Sequence, residues 1–171
     1  AERFEEAGCN GLYGFEGYKV HSKICLITET TNHGVEYITQ MATGNYNEKT
    51  AALYSDLSLM TANQNIGADA ARFFDNMALG NLEGDYDLLW VAPYSLKTKL
   101  LRKINDQIDI AKAGGKGRLL FKMNSLTDLE LIEKISEASQ AGVKVDLIVR
   151  GICCLLPGIP GQTDNIHIIS I

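Results

Sequence analysis

The residues best suited to chemistry are His21 and Lys23, which stand two positions apart ahead of an apolar run. Apolar and polar residues alternate over 20–27, which predicts a β-strand, and residues two apart on a strand project from the same face. A neutral imidazole can be a nucleophile, and a neighbouring ammonium can hold the anionic group that it attacks. The pair therefore suits phosphoryl transfer, although a half-buried strand that carries His and Lys on its wet face has the same pattern.

The polar segment 42–49 is the second candidate, because it contains glycine and Asn45 and lies between two predicted strands. Asparagine in such a turn needs no functional reason, so this segment alone indicates only a loop at the end of a sheet. Short turns join the strands before it, and apolar residues at helical spacing follow. The first half is thus predicted as a sheet layer and a helix, with strands at 10–15, 20–27, 35–41 and 51–60 and the helix at 65–79.

The pattern changes after the polar segment 80–87, which contains two glycines and is the best candidate for a domain boundary. A continuous apolar run at 88–91 is typical of a strand buried on both faces. Three more strands are predicted, at 119–123, 143–149 and 166–171. Helices are predicted between the strands, one of them opened by a capping box of Thr127 and Glu130. This alternation predicts parallel pairing with right-handed crossovers, so the fold class is α/β.

Arg150 is the candidate of the second half, because it follows a predicted buried strand and its charge must find a partner there. Ligands bind at the carboxyl ends of strands in open α/β sheets, and the planar fork of donors on arginine suits phosphate groups. A structural salt bridge is the alternative for this side chain.

The composition describes a soluble globular protein: 46% of the 171 residues are hydrophobic, 22% are charged, and the formal net charge is -5. This charge argues against a nucleic-acid binder, and no apolar run reaches the roughly 20 residues of a membrane helix. The four cysteines lack metal-ligand spacing and nothing indicates secretion, so we expect reduced thiols in a cytoplasmic protein. The chain starts without Met and ends on an apolar run, which predicts a piece of a longer protein.

Six segments together resemble the polyphosphate kinase family, whose members reversibly transfer the terminal phosphate of ATP to inorganic polyphosphate. These segments are Lys19–Lys23, Ala42–Thr50, Leu53–Asp56, Lys122–Leu126, Ala138–Val143 and Asp146–Cys154. The resemblance covers nearly the whole chain. It implies that 1–82 end one phospholipase D-like catalytic domain and that 83–171 begin a second one. The implied fold is a mixed sheet half-domain followed by a βαβαβ parallel half-domain.

The turn at 42–45 departs from the phospholipase D-like pattern, in which a Gly-Ser-x-Asn turn follows the H-x-K strand. Here the turn reads Ala42-Thr43-Gly44-Asn45, with Ala in place of the first Gly and Thr in place of Ser. The departure disfavours plain phosphodiesterase activity and agrees with the kinase family.

The resemblance implies a role for five residues. His21 matches the family's phosphorylated histidine, and Lys23 would neutralise charge on the transferring group. Tyr54 matches a nucleotide-binding position, with a core or sheet tyrosine as the alternative. Asn45 would orient the histidine or donate a hydrogen bond to phosphate. Arg150 matches an arginine that binds the phosphates of ATP.

The resemblance also implies groups that this chain lacks. The family's magnesium-associated arginines would lie upstream of residue 1, and its second catalytic histidine downstream of residue 171. His33 and His167 do not replace that histidine and are interpreted as structural. We therefore expect Mg²⁺ as a cofactor with ligands outside this chain, ATP/ADP and polyphosphate as partners, a homo-oligomer in the intact enzyme, and little or no activity in the isolated segment.

Two other functions remain open on the sequence. A phospholipase D-type phosphodiesterase or nuclease also forms a histidine adduct, but it would cleave a diester without ATP and would need a second H-x-K. A non-catalytic assembly module would lack bound nucleotide and would be favoured by a large apolar face on the second half.

Overall fold

The structure is a computed structural model that describes residues 2–171, and the chain divides into two compact units between Tyr94 and Ser95. The predicted division at 82/83 lies within the first unit and stays a prediction. The first unit contains α1 (Glu2–Glu6), β1 (Ile24–Thr31), β2 (Gly34–Ala42), α2 (Glu48–Ala51), β3 (Ser58–Thr61) and α3 (Gln64–Leu79). The second contains α4 (Leu96–Lys112), β4 (Arg118–Met123), α5 (Leu129–Gln140), β5 (Lys144–Val149) and β6 (Ile166–Ser170).

The first unit is built on an antiparallel sheet with strand order β1-β2-β3. The helix α3 packs on one face of it, where Gln64 accepts a hydrogen bond from the Tyr37 backbone N–H at 3.0 Å and donates one to the Tyr37 carbonyl at 3.2 Å. Gly67 permits this packing, because a Cβ at that position would collide with the Tyr37 side chain. The Asn63 side chain caps α3, and Gly80 ends it at a φ of 70°. The predicted helix 65–79 is confirmed.

The carboxylate of Asp69 on α3 organises the polar segment that follows the helix. It is 1% exposed and accepts hydrogen bonds from the backbone N–H groups of Leu88 and Leu89 at 2.7 and 3.0 Å. These N–H groups are therefore not paired in a β-ladder. The predicted strand 88–91 is wrong, and Leu88 and Trp90 are 48% and 40% exposed.

The second unit is built on a parallel sheet with strand order β4-β5-β6. Its helices α4 and α5 bury apolar residues against one sheet face, with Ile104, Ile108 and Ile135 at 2% exposure or less. The Asp128 side chain caps α5 by accepting from the Leu131 N–H, so the predicted helix is present but its cap is one residue later than Thr127. The α/β fold class is confirmed by the two sheets and their helices.

Three strand predictions in the first half need correction. The segment 10–15 forms only an isolated bridge between Phe15 and Tyr18. The strand predicted at 20–27 begins at Ile24, and the strand predicted at 51–60 is a short helix, a turn and β3. The first sheet is antiparallel throughout its described strands rather than mixed. Among residues 2–171, the helices are all too short or too polar to cross a membrane.

Candidate functional site

Three strand ends meet at one edge of the antiparallel sheet. β1 starts there, β2 ends there and β3 starts there, with Ile24 opposite Met41 and Ala42 opposite Ser58. The Ala42 N–H donates to the Lys23 carbonyl at 2.9 Å, so the pairing continues one residue ahead of β1. The antiparallel register therefore places the segment 21–23 beside the turn that begins at Ala42.

His21 and Lys23 contact each other at this edge. The Lys23 Nζ atom lies 3.0 Å from Nδ1 and 3.2 Å from Nε2 of His21, and it donates to the His21 carbonyl oxygen at 2.7 Å. A neutral imidazole has one acceptor nitrogen, and its two ring nitrogens point in different directions. One ammonium therefore cannot be hydrogen-bonded to both, and the contact is with the ring as a whole. The expected proximity is present, but residues 21–23 lie in irregular backbone ahead of β1 and not in the strand itself.

This arrangement has a direct chemical consequence. His21 is exposed, so a phosphorus centre in solution can reach its ring, while the half-buried Lys23 carries a positive charge within 3.2 Å of both ring nitrogens. A fixed cation beside a nucleophile is placed to stabilise negative charge that develops on a transferring phosphoryl group.

Thr43 fixes the turn next to the histidine through three hydrogen bonds. Its hydroxyl donates to Asp56 Oδ1 at 2.8 Å and accepts from the Leu57 N–H at 3.0 Å. Its own N–H donates to the Leu57 carbonyl at 3.0 Å. The Thr43 hydroxyl thus ties the end of β2 to the segment before β3.

Asp56 also explains the glycine of this turn. A Cβ at Gly44 would collide with the Asp56 carboxylate, so only glycine fits there without a shift of that side chain. Thr43 and Asp56 were not among the predicted site residues. Their contact joins positions 13 apart in sequence, and only the register of β2 and β3 reveals it.

Asn45 follows Thr43 closely in sequence and Tyr54 precedes Asp56, and both side chains are exposed. The Asn45 carbonyl accepts from the Asn47 N–H at 2.8 Å, and the Asn47 side chain caps α2 by accepting from the N–H groups of Lys49 and Thr50. Tyr54 lies in the turn between α2 and β3, two residues ahead of Asp56. The first unit therefore holds four of the five predicted site residues.

Arg150 lies in the second unit, immediately after β5 and at the carboxyl end of the parallel sheet, as expected. Its N–H donates to the Met123 carbonyl at 3.1 Å, and its Nε donates to Asn124 Oδ1 at 3.2 Å. The Gly151 N–H then donates to the Asn124 carbonyl at 2.8 Å. Asn124 belongs to this strand end, yet it was missed as a site residue because its partner lies 26 positions away.

The other two histidines lie elsewhere. His33 is in the turn between β1 and β2, at the opposite end of β1 from His21. His167 is on β6, 71% exposed, with Nδ1 3.9 Å from Asp146 Oδ1. Within residues 2–171, no three acidic, histidine or cysteine side chains are grouped so that they could hold a metal ion.

The chain is similar to polyphosphate kinases over its whole length. Residues 1–82 match the family model of the polyphosphate kinase C-terminal domain 1, and residues 89–171 match that of C-terminal domain 2. The polyphosphate kinase of Staphylococcus epidermidis is 45% identical over 171 residues, which are 100% of this chain and 23% of that protein. The polyphosphate kinase of Bacillus cereus is 43% identical over 171 residues, 24% of its length.

A solved structure shares the fold. The crystal structure of polyphosphate kinase from Porphyromonas gingivalis aligns with a TM-score of 0.88 and 40% sequence identity, over 99% of this chain and 28% of that chain. The chain thus spans 23–24% of the length of the curated relatives named above.

Proposed function

Because the chain belongs to the polyphosphate kinase family, we propose that it supplies part of a site for reversible transfer of the ATP γ-phosphate to inorganic polyphosphate. The transfer passes through a phosphohistidine at His21. The observation that carries the proposal is the contact between the exposed His21 ring and the Lys23 ammonium at 3.0 Å.

The reaction consists of two displacements at phosphorus. In the first, a neutral ring nitrogen of His21 attacks the γ-phosphorus, an N–P bond forms, the bond to the β–γ bridging oxygen breaks, and ADP leaves. In the second, a terminal phosphate oxygen of polyphosphate attacks the phosphorus on His21, the N–P bond breaks, and the chain is one phosphate longer. Both steps are reversible, and the free imidazole is regenerated.

The other site residues bind and orient the phosphate groups. Lys23 neutralises charge on the transferring group, and Asn45 orients the histidine or donates to phosphate oxygen. Tyr54 binds the nucleotide. Arg150 binds ATP phosphates through its planar set of donors.

Magnesium chemistry is not assigned to this chain. Its described residues offer no group of acidic, histidine or cysteine side chains that fits the ion. We propose that Mg²⁺ assists the reaction with ligands outside residues 1–171.

Labelling with γ-³²P ATP tests the proposal. We compare the 171-residue chain with a polypeptide of the relatives' length that contains it, called the full-length enzyme below. We expect acid-labile, base-stable label on the full-length enzyme, its loss in His21→Ala, and little or no label on the 171-residue chain, because we place the Mg²⁺ ligands outside it.

His33→Ala is the matched control, because it removes an exposed histidine from the same unit at the far end of β1. It should keep full labelling. If His21→Ala still accepts phosphate, His21 is not the nucleophile. If no form is labelled while a model diester is hydrolysed, the protein is a phosphodiesterase.

The proposal includes the setting of the reaction. The partners are ATP/ADP and inorganic polyphosphate, the intact enzyme is a homo-oligomer, and it acts in the cytoplasm. Sedimentation of the full-length enzyme at several concentrations measures the oligomeric state, and a monomer at all of them would contradict that part.

A further inference from the structure

We propose that Asn124 is a positioning residue for Arg150, one that fixes the plane of the guanidinium through a neutral acceptor. The inference rests on the proposed role of Arg150 in binding ATP phosphates. It adds Asn124 to that site and explains why an asparagine suits that position.

The backbone brings the two side chains together. β4 and β5 pair in parallel up to Met123 opposite Val149, and both chains bend immediately after that pair. Beyond it the N–H groups of Arg150 and Gly151 donate to the carbonyls of Met123 and Asn124, which holds the two bends beside each other. The hydrogen bond from Arg150 Nε to Asn124 Oδ1, 3.2 Å long, follows from this placement.

Gly151 allows the strand ends to stay this close. A Cβ at Gly151 would lie 2.9 Å from the Asn124 carbonyl oxygen, which is closer than real Cβ contacts. A larger residue there would push the two strand ends apart and lengthen the contact to Arg150. The approach of Asn124 is therefore built into the backbone of both strands.

The chemistry of asparagine suits this role. Arginine has many rotamers, and holding Nε at a fixed acceptor selects an orientation of the whole planar group before a ligand arrives. An amide oxygen is a neutral acceptor, so it orients the cation without cancelling its charge. An aspartate at the same place would also accept from Nε, but its negative charge would compete with phosphate for the guanidinium.

A double-mutant cycle in the full-length enzyme tests the inference. Asn124→Ala, Arg150→Ala and the double variant are compared for the KM for ATP and for kcat. We expect Asn124→Ala to raise the KM for ATP about fivefold, the effect of one lost hydrogen bond, with a smaller change in kcat. Asn124→Ala should add nothing in the Arg150→Ala background, because a residue that acts through Arg150 has no effect once Arg150 is gone. Asn124→Asp should raise the KM more than Asn124→Ala.

Asn105→Ala is the matched control, since it makes the same change at an exposed position of α4, and thermal unfolding of each variant separates a folding defect from a binding defect. If Arg150→Ala raises the KM while Asn124→Ala leaves it unchanged, the inference is overturned and the role of Arg150 stands. Additive effects of the two changes would also overturn it. If Arg150→Ala has no effect on the KM, the proposed role of Arg150 fails first.

Discussion

At the scale of single residues, the candidate site depends on short contacts that fix polar groups at strand ends. The Lys23 ammonium donates to the carbonyl of His21, two residues away, and so stays beside the His21 ring. Thr43 is held by Asp56 and Leu57, and Arg150 is held by Asn124. In each case a hydrogen bond removes rotamer freedom of the side chain before any ligand binds.

The hydroxyl of Thr43 gives the first prediction. Thr43→Val keeps the volume of the side chain but removes the donor to Asp56 and the acceptor for the Leu57 N–H. We expect a loss of about 1–3 kcal/mol in the free energy of unfolding of the first unit, measured by urea titration. In the full-length enzyme, labelling of His21 should fall, because the turn beside it loosens.

Thr43→Ser is the matched control for this prediction, because it keeps the hydroxyl and removes only a methyl group. It should retain most of the stability and labelling. If the serine variant is as impaired as the valine variant, the methyl group of Thr43 stabilises the turn, and the hydrogen bonds of its hydroxyl do not.

The site residues that the sequence predicts and those that it misses differ in the range of their contacts. His21 and Lys23 are two positions apart, so their proximity is readable from the chain, although the strand predicted to contain them begins only at Ile24. Thr43 and Asp56, or Asn124 and Arg150, become neighbours only when two strands adopt one register out of several. Local periodicity does not contain that register, so these pairs could not be found from the sequence by itself.

At the scale of elements, a predicted helix or strand is present where its backbone hydrogen bonds lie within that helix or its sheet. The backbone hydrogen bonds of α3, β4 and β5 are made within the helix or the sheet, and the apolar periodicity predicts the bounds of these elements closely. The run 88–91 is just as apolar, yet its N–H groups bind a carboxylate some 20 residues earlier on α3. A buried side-chain acceptor thus replaces the strand partner that the pattern predicted.

The pKa of Asp69 gives a prediction for α3 and the segment that it binds. Burial raises the pKa of this carboxyl, but the N–H groups of Leu89, Leu88 and Asp87, together with the Arg72 guanidinium, outweigh it and hold the pKa below its ordinary value. A lowered pKa in the folded state means that the stabilisation is fully present above the unfolded pKa of about 3.9 and is lost as the pH falls through the folded value.

Asp69→Asn should therefore lower the free energy of unfolding at pH 7 by about 2 kcal/mol. It should also reduce the loss of stability of the first unit as the pH falls below about 4. Urea titrations read by the fluorescence of Trp90, one residue after Leu89, measure both effects. Asp75→Asn, at an exposed position of the same helix, is the control and should change neither. Equal stability and equal acid dependence of the Asp69→Asn chain and the unaltered chain would refute the role of this carboxylate.

At the scale of the whole molecule, the two units differ in how much apolar surface they bury. The main core cluster lies entirely in the second unit, between Ile104 and Ile166. In the described part of the first unit, the apolar residues buried to the same degree are Ala70, Phe73 and Tyr86. Since burial of apolar surface is the dominant favourable term in folding, the second unit should be the more stable of the two.

The single tryptophan makes this difference measurable on the 171-residue chain. Trp90 belongs to the first unit, so its fluorescence reports that unit, whereas far-UV circular dichroism reports the helices of both. We expect the fluorescence transition at a lower urea concentration than the last dichroism transition. Ile104→Ala, which leaves a cavity at a fully buried position of α4, should cost the second unit about 3 kcal/mol and move only the later transition. Coincident transitions that shift together in this variant would mean that the chain unfolds as one cooperative unit, and the larger core would then stabilise the histidine site as well as its own sheet.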